Sequence, residues 1–349
     1  MHSTRLDAST LEKLVSAATA APSLYNTQPW RFRLDPDTLT VEIRAAVERG
    51  LPYADPHGRA LHVAVGAAAF NLRVAVAHLG WKPVTRLLTD PEHPDLLVTV
   101  RIAGRARPGV EHRADLYDAI WRRHSSRLPF CDRRPPVSAL AEIAAAAHVE
   151  GVSLTLPGPH ETDRLLRVTT EAERRNHAEA ERGIESRRWV RTEAGGGDDG
   201  LGIPAATLGP QDSFEQIPMR DFTARRYLDD LPSRPFEHSP TITVLATRHD
   251  RRTDWLRAGQ ALQHALLVAT AHGLRSSLLH QAMEWPDLRR YLRAADAPLD
   301  HVQMLMRLGY GPEGPATPRQ RADLALEQDG APLGPWPSLR RAAHIEGEK

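Results

Sequence analysis

Residues 21–30, Ala-Pro-Ser-Leu-Tyr-Asn-Thr-Gln-Pro-Trp, crowd Ser23, Tyr25, Asn26, Thr27 and Gln28 between two prolines. These side chains are uncharged hydrogen-bonding groups, the kind that hold something polar in place without ionising. Ser, Asn and Pro are also favoured in ordinary loops, so the same stretch reads equally as a plain helix-to-strand connection. The flanking elements fix its position. Ser9 to Ala21 is expected to be a helix, with Ser9 and Glu12 as a capping box and Leu11, Leu14, Val15 and Ala18 on one face. Pro22 stops it, and Trp30 to Leu34 alternates apolar and charged residues as a strand does.

The chain has 349 residues, 41% of them hydrophobic, enough for a large core and for two domains or one duplicated unit. Forty-five basic against 44 acidic residues give a net charge of +1, which removes the electrostatic case for a nucleic-acid or membrane-surface partner. Only Lys13, Lys82 and Lys349 are lysines, so an arginine cluster needs position as well as number to carry meaning. Cys131 is the single cysteine, which excludes an internal disulfide and a cysteine zinc site. Met1 to Thr10 lacks the apolar stretch of a signal peptide, and no run is expected to reach the about 20 apolar residues of a membrane span. A soluble, cytoplasmic protein is the expectation.

Two segments match in pairs. Ser9–Ala18 aligns with Ser138–Ala147 at an offset of 129, and Gly66–Trp81 aligns with Gly259–Leu274 at an offset of 193. The second pair matches Gly66 with Gly259 and Gly80 with Gly273, and both members read as buried helices ending at a glycine cap. Strand-like runs at 39–44 and 96–102 correspond to 241–246 and 302–308, so each half reads helix, strand, helix, strand. The offsets differ by 64, which places an insertion of about that length at about 176–238. Its apolar residues, Ile203, Leu208, Phe214, Ile217, Met219, Phe222 and Tyr227, favour a structured lid over a disordered excursion.

The chain resembles the nitroreductase superfamily of FMN flavoproteins, and within it the Acg branch. The resemblance covers nearly everything to about residue 330. It is carried by residues 21–30, by GAAAFNLRVA at 66–75, by ArgArgHisSerSerArg at 122–127, by the 259–274 helix, and by LeuGlyTyrGly with ThrProArg at 308–319. It implies an α+β nitroreductase-like fold in which two degenerate halves of one chain mimic the family homodimer, with a lid-like insertion in the second half. The implied divisions are 1–115 and 116–335, followed by a tail at 336–349. Arg122, Arg123, Ser125 and Arg127 are placed by the resemblance around the FMN phosphate and ribityl chain, with Arg319 as a late phosphate contact. A phosphate dianion suits forked guanidinium donors and a hydroxyl. Pro22, Ser23 and Asn26 would approach the flavin from the other half. Leu279, His280 and Gln281 would back its ring, although Leu-Leu-His-Gln departs from the usual residues of the family there.

Other motifs carry less. Gly195 to Gly200 fits GxGxxG, but no strand precedes it and two aspartates would repel a pyrophosphate. Gly309, Gly311 and Gly314 fit it too, but Pro312, Pro315 and Pro318 forbid the helix that should follow. No nucleophile elbow, phosphate-binding Walker loop or HExxH helix occurs, and no metal site is expected among the 17 histidines. The expected function is NAD(P)H-dependent reduction of a small nitro, quinone or related acceptor, with the chemistry on the flavin and no catalytic protein group. Two alternatives are a flavin-sequestering or sensing protein whose lid suppresses turnover, and a cofactor-free interaction protein that kept only the fold. A fused pair of halves makes a monomer possible.

Overall fold

The computed structural model describes residues 6–105, 113–191, 199–224, 232–293 and 300–327. The tail at 336–349 and Tyr227 lie outside the described residues. The first half runs through helix α1 (Ala8–Thr19), strands β1 (Trp30–Asp35) and β2 (Thr40–Ala45), helix α2 (Arg59–His78), and strands β3 (Trp81–Leu87) and β4 (Leu96–Arg105). A short helix α3 (Tyr117–Arg122) leads into the second half: α4 (Val137–Val149), β5 (Ser153–Thr155), α5 (Pro159–Ala178), α6 (Ala180–Arg188), β6 (Thr241–Thr247), α7 (Arg252–Ala271), β7 (Arg275–Leu279) and β8 (His301–Gly309).

Helix α1 begins earlier than the sequence suggests. Asp7 is its N-cap, with Oδ1 accepting a hydrogen bond from the Thr10 amide at 2.7 Å, so Ser9 lies inside the first turn and the expected Ser9/Glu12 capping box does not form. An aspartate is as good a cap as serine, and its charge also suits the helix N-terminus. The glycine caps are as expected: Gly80 and Gly273 lie just beyond α2 and α7 with φ of +84° and +73°.

The two halves share one topology. The first sheet has the order β1-β2-β4-β3 and the second, in corresponding strands, β5-β6-β8-β7, with every neighbour antiparallel. Each carries a bulge at the corresponding place, between Ile43 and Arg44 in β2 and between Leu245 and Ala246 in β6. The helices α2 and α7 cross at the centre, where the matched glycines meet. A Cβ on Gly66 would lie 2.1 Å from the Leu256 carbonyl oxygen, and one on Gly259 would lie 2.0 Å from that of Val63. Beside the crossing, Gln263 Nε2 donates to Asn71 Oδ1 at 2.7 Å, and Asn71 Nδ2 donates to the Ala17 carbonyl at 2.9 Å. One hydrophobic core runs through both halves, from Leu14 and Phe70 to Ile143, Leu266 and Met306.

Helix α2 is apolar and long enough to cross a membrane, contrary to the expectation that no run would be, but 94% of its apolar window is buried inside the protein. It is a core helix because α1, α7 and the first sheet cover it on all sides.

Between β5 and β6 the chain takes residues 156–240, where the first half has only the turn 36–39. The excursion thus starts ahead of residue 176. Its first helix, α5, packs Leu165, Leu166 and Ala172 against Leu279, Ala282 and Met283 and forms part of a second core. Of the apolar residues expected to fold the insertion, Ile203, Ile217, Met219 and Phe222 are buried, whereas Phe214 is 55% exposed.

Candidate functional site

A cavity of about 110 Å³ opens where the two halves and the insertion meet. The first half supplies Pro22, Ser23 and Tyr25, with Ala60, Val63 and Ala64 of α2; the second supplies Ser125 to Arg127 and Ser277 to His280. Met219, Arg220 and Phe222 of the insertion form a further wall. Small residues on α2 leave the room that a flat ligand needs, and the lining is mostly apolar with a few convergent polar groups, as in cofactor sites generally.

At one end of this cavity Arg127 forms part of the lining, with Arg123 and Arg319 buried close by. The chain leaves α3 at Arg123 in an extended conformation, and the Ser126 amide donates to the Ser276 carbonyl at 2.7 Å, which pins the following loop onto β7. Arg123 is buried. Its Nη2 donates to the Ala20 carbonyl at 3.2 Å, while Nε and Nη1 have no partner. Arg127 Nη1 donates to the Thr207 carbonyl at 2.8 Å, and its guanidinium lies 4.8 Å from the centre of the Phe222 ring. Arg319 Nη1 donates to Asn26 Oδ1 at 3.0 Å, and its buried Nε has no partner. Among the described residues no carboxylate lies within ion-pair distance of any of the three. Burial pushes Arg123 and Arg127 down to about 10, and burial together with the charges of Arg123 and Arg127 pushes Arg319 down to about 9. All three remain cations at neutral pH, held close together at an electrostatic cost. Arg122, by contrast, is exposed at the end of α3.

The loop after α1 is held in an unusual shape. Tyr25, Asn26 and Gln28 have φ of +52°, +54° and +47°, a region that side chains other than glycine enter at a cost of about 1 kcal/mol or more each. Hydrogen bonds hold it there. Ser23 Oγ accepts from the Gln28 amide at 2.9 Å, and Gln28 Nε2 donates to the Gly200 carbonyl at 2.7 Å. Pro22 and Ser23 border the cavity. Asn26 does not: its Nδ2 donates to the carbonyls of Gly200, Gly202 and Pro318 at 3.1, 2.8 and 3.0 Å, and its Oδ1 holds Arg319. Its amide is spent on clamping the insertion and the 317–320 segment to the loop and on holding Arg319 beside the cavity.

At the other end, Leu279 and His280 line the cavity, whereas Gln281 turns away and donates from Nε2 to the Pro218 carbonyl at 2.9 Å. His280 belongs to a buried chain of charges. Arg59 Nη2 lies 2.6 Å from His280 Nε2, His280 Nδ1 lies 3.1 Å from Glu284 Oε1, and Glu284 also pairs with Arg182 at 3.2 Å and with Arg220 of the insertion. Arg220 Nη1 donates in turn to the Tyr25 hydroxyl at 2.5 Å. Burial works against the Glu284 carboxylate, but the charge of Arg220 and the hydrogen bond from His280 hold it below the usual range. Burial lowers His280 and raises Tyr25, so both stay neutral near pH 7. Sequence reading missed Arg59, Arg182 and Glu284. The spacing of His280 and Glu284, four residues apart, is a signal that would have found the last of these.

The sequence profile of the Nitroreductase family matches residues 120–310, more than half of the chain. A Mycobacterium tuberculosis H37Rv protein named "Putative NAD(P)H nitroreductase Rv3131" is 31% identical over 328 residues, which is 92% of this chain and 92% of that one. A second protein of that strain, named "Putative NAD(P)H nitroreductase acg", is 27% identical over 330 residues, covering 93% of this chain and 97% of its own. Among solved structures, a nitroreductase with bound FMN from Desulfitobacterium hafniense DCB-2 aligns at 13% identity and a TM-score of 0.36, over 58% of this chain and 94% of its own. By its sequence and by the length over which that sequence is shared, the chain belongs to the nitroreductase family.

Proposed function

We propose that this chain binds FMN and acts as a nitroreductase-type oxidoreductase, taking reducing equivalents from NAD(P)H and passing them to a small nitro, quinone or related acceptor. The observation that carries this reading is that Arg123 and Arg319, with buried, unpartnered N–H groups and no paired carboxylate, stand beside Arg127 at one end of an apolar cavity. A phosphate fits that donor set, because it would satisfy Arg123 and Arg319 and relieve their mutual repulsion. Arg123, Ser125, Arg127 and Arg319 would hold the phosphate and ribityl chain. Pro22, Ser23, Leu279 and His280 would border the ring, and Asn26 would act one step removed by fixing Arg319. The flavin supplies the hydride chemistry, and the protein's task is to orient it and shield it from water. One chain would thereby provide both faces of a site that ordinary members of the family assemble from two subunits.

The test is an anaerobic visible spectrum of the purified protein before and after NADH or NADPH, with the released cofactor identified after denaturation. Bound FMN that bleaches and is reoxidised by a quinone or nitroarene is the expected result. A protein that binds no FMN on reconstitution overturns the reading.

One observation favours a second outcome, in which the insertion acts as a lid that sequesters the flavin. Phe222 packs edge-on against Tyr25 at 6.0 Å, and Arg220 ties Tyr25 to Glu284, so insertion side chains stand where an acceptor would enter. On that reading the double substitution Arg220→Ala, Phe222→Ala creates or raises nicotinamide-driven bleaching at least about tenfold. An unchanged rate in a flavin-loaded variant removes the lid as the cause of low turnover.

A further inference from the structure

Resting on the flavin reading above, we infer that Arg59 is a positioning residue that tunes the ring end of the cavity, fixing His280 in the wall and lending it a positive charge that favours the reduced cofactor. Arg59 is the first residue of α2 and is buried. Its Nη1 donates to the Gln303 carbonyl at 2.9 Å, and its Nη2 meets His280 Nε2 at 2.6 Å. A guanidinium can only donate, so Nε2 of His280 is the acceptor and the ring proton lies on Nδ1, facing Glu284. Arg59 thus sets both the tautomer and the orientation of the side chain that closes the cavity.

Its charge is not held by a salt bridge. No carboxylate lies within ion-pair distance of Arg59 among the described residues; Asp55, Asp250 and Glu284 act on it only from farther off, and Glu284 is already engaged by Arg220 and Arg182. The N-terminus of a helix is the wrong place for a cation, because the helix dipole is positive there. A buried cation in such a position opposes stability, and groups of that kind concentrate where their field acts on a ligand. The cavity beyond His280 is the place for it. Taking up a hydride from a nicotinamide adds two electrons and one proton to a flavin, so the ring gains one negative charge, which a fixed cation behind the wall would stabilise without any reorganisation.

The experiment uses the full chain loaded with FMN and compares Arg59→Met, which removes the charge, with Arg59→Lys, which keeps it. Two readouts are taken: the midpoint potential of the bound flavin, by dye-coupled reduction, and the affinity for sulfite, which adds to the oxidised ring to give an anionic adduct. Arg59→Met is expected to shift the potential to more negative values and to weaken sulfite binding by about tenfold, with Arg59→Lys recovering most of both. Should Arg59→Met not fold, Arg59→Gln keeps donors toward Gln303 without the charge and carries the same expectation. If the neutral variants match the parent in both readouts, or if the lysine variant behaves like them, Arg59 merely braces β8 and the inference is overturned while the flavin reading stands. A parent protein that binds no flavin overturns that reading, and the inference with it.

Discussion

Arg122 and Arg123 are adjacent in sequence and opposite in environment, because α3 ends between them: Arg122 stays on the exposed side of the last turn, and Arg123 turns inward. Consecutive residues on a helix point about 100° apart, so a motif written as a pair of arginines needs the helix end to decide which one is used. Arg123→Ala is therefore expected to weaken FMN binding by about ten- to a hundredfold, the range for losing a charge-assisted hydrogen bond, and Arg122→Ala by less than about twofold. Titrating the apo-protein with FMN and following the flavin fluorescence checks both; equal losses in the two variants would contradict the placement. Asn26 teaches the same lesson from the other side. Its residue type marked the loop as a place where something polar is held, but what it holds is the backbone of Gly200, Gly202 and Pro318, over 170 residues away in sequence. No local pattern carries that partner.

At the scale of elements, the crossing of α2 and α7 decides how the halves fit. Gly66 and Gly259 let the two backbones touch, and that contact places Ala60 and Val63 of one helix and Leu262 of the other around the same cavity. A side chain at either glycine would meet backbone that cannot give way, so Gly66→Val and Gly259→Val are each expected to destabilise the protein by about 3 kcal/mol or more. Urea unfolding followed by circular dichroism measures this. Loss of bound flavin at denaturant concentrations that leave the parent intact would accompany it. The insertion shows how far element-level reading reaches. Subtracting two helix offsets found extra chain in the second half, but the excursion leaves the frame directly after β5, because α5 is needed to cover Leu279 and Met283 beneath the site.

At the scale of the whole molecule, the two halves are related but their two possible sites are not equal. By the alignment that pairs Gly66 with Gly259, Ala60 and Ala64 of α2 correspond to Thr253 and Arg257 of α7. The corresponding hollow is lined by those two residues with Thr85, Arg86 and Glu150, and there Arg73 pairs with Glu150 at 2.7 Å and with Gln260 at 2.8 Å. Larger polar groups, Arg73 and Glu150 already paired with one another among them, stand where the other cavity has small residues. One equivalent of FMN per chain is the expected stoichiometry, with the mass of a single chain in light scattering; two equivalents per chain would show that the second hollow also takes the cofactor. Periodicity, glycine caps and the matched order of helices and strands were legible in the sequence because they depend on residues close together along the chain, and so was the family, because RHSSR at 123–127 and the proline-bounded loop are contiguous. The tertiary structure alone decided which arginine turns inward, that Asn26 serves as a clamp, and that Arg59, Glu284 and Arg220 join across three elements around His280 in the cavity wall. Those outcomes depend on which distant groups become neighbours when water is excluded, and a buried charge gains its meaning only from the partners, present or missing, that folding brings to it.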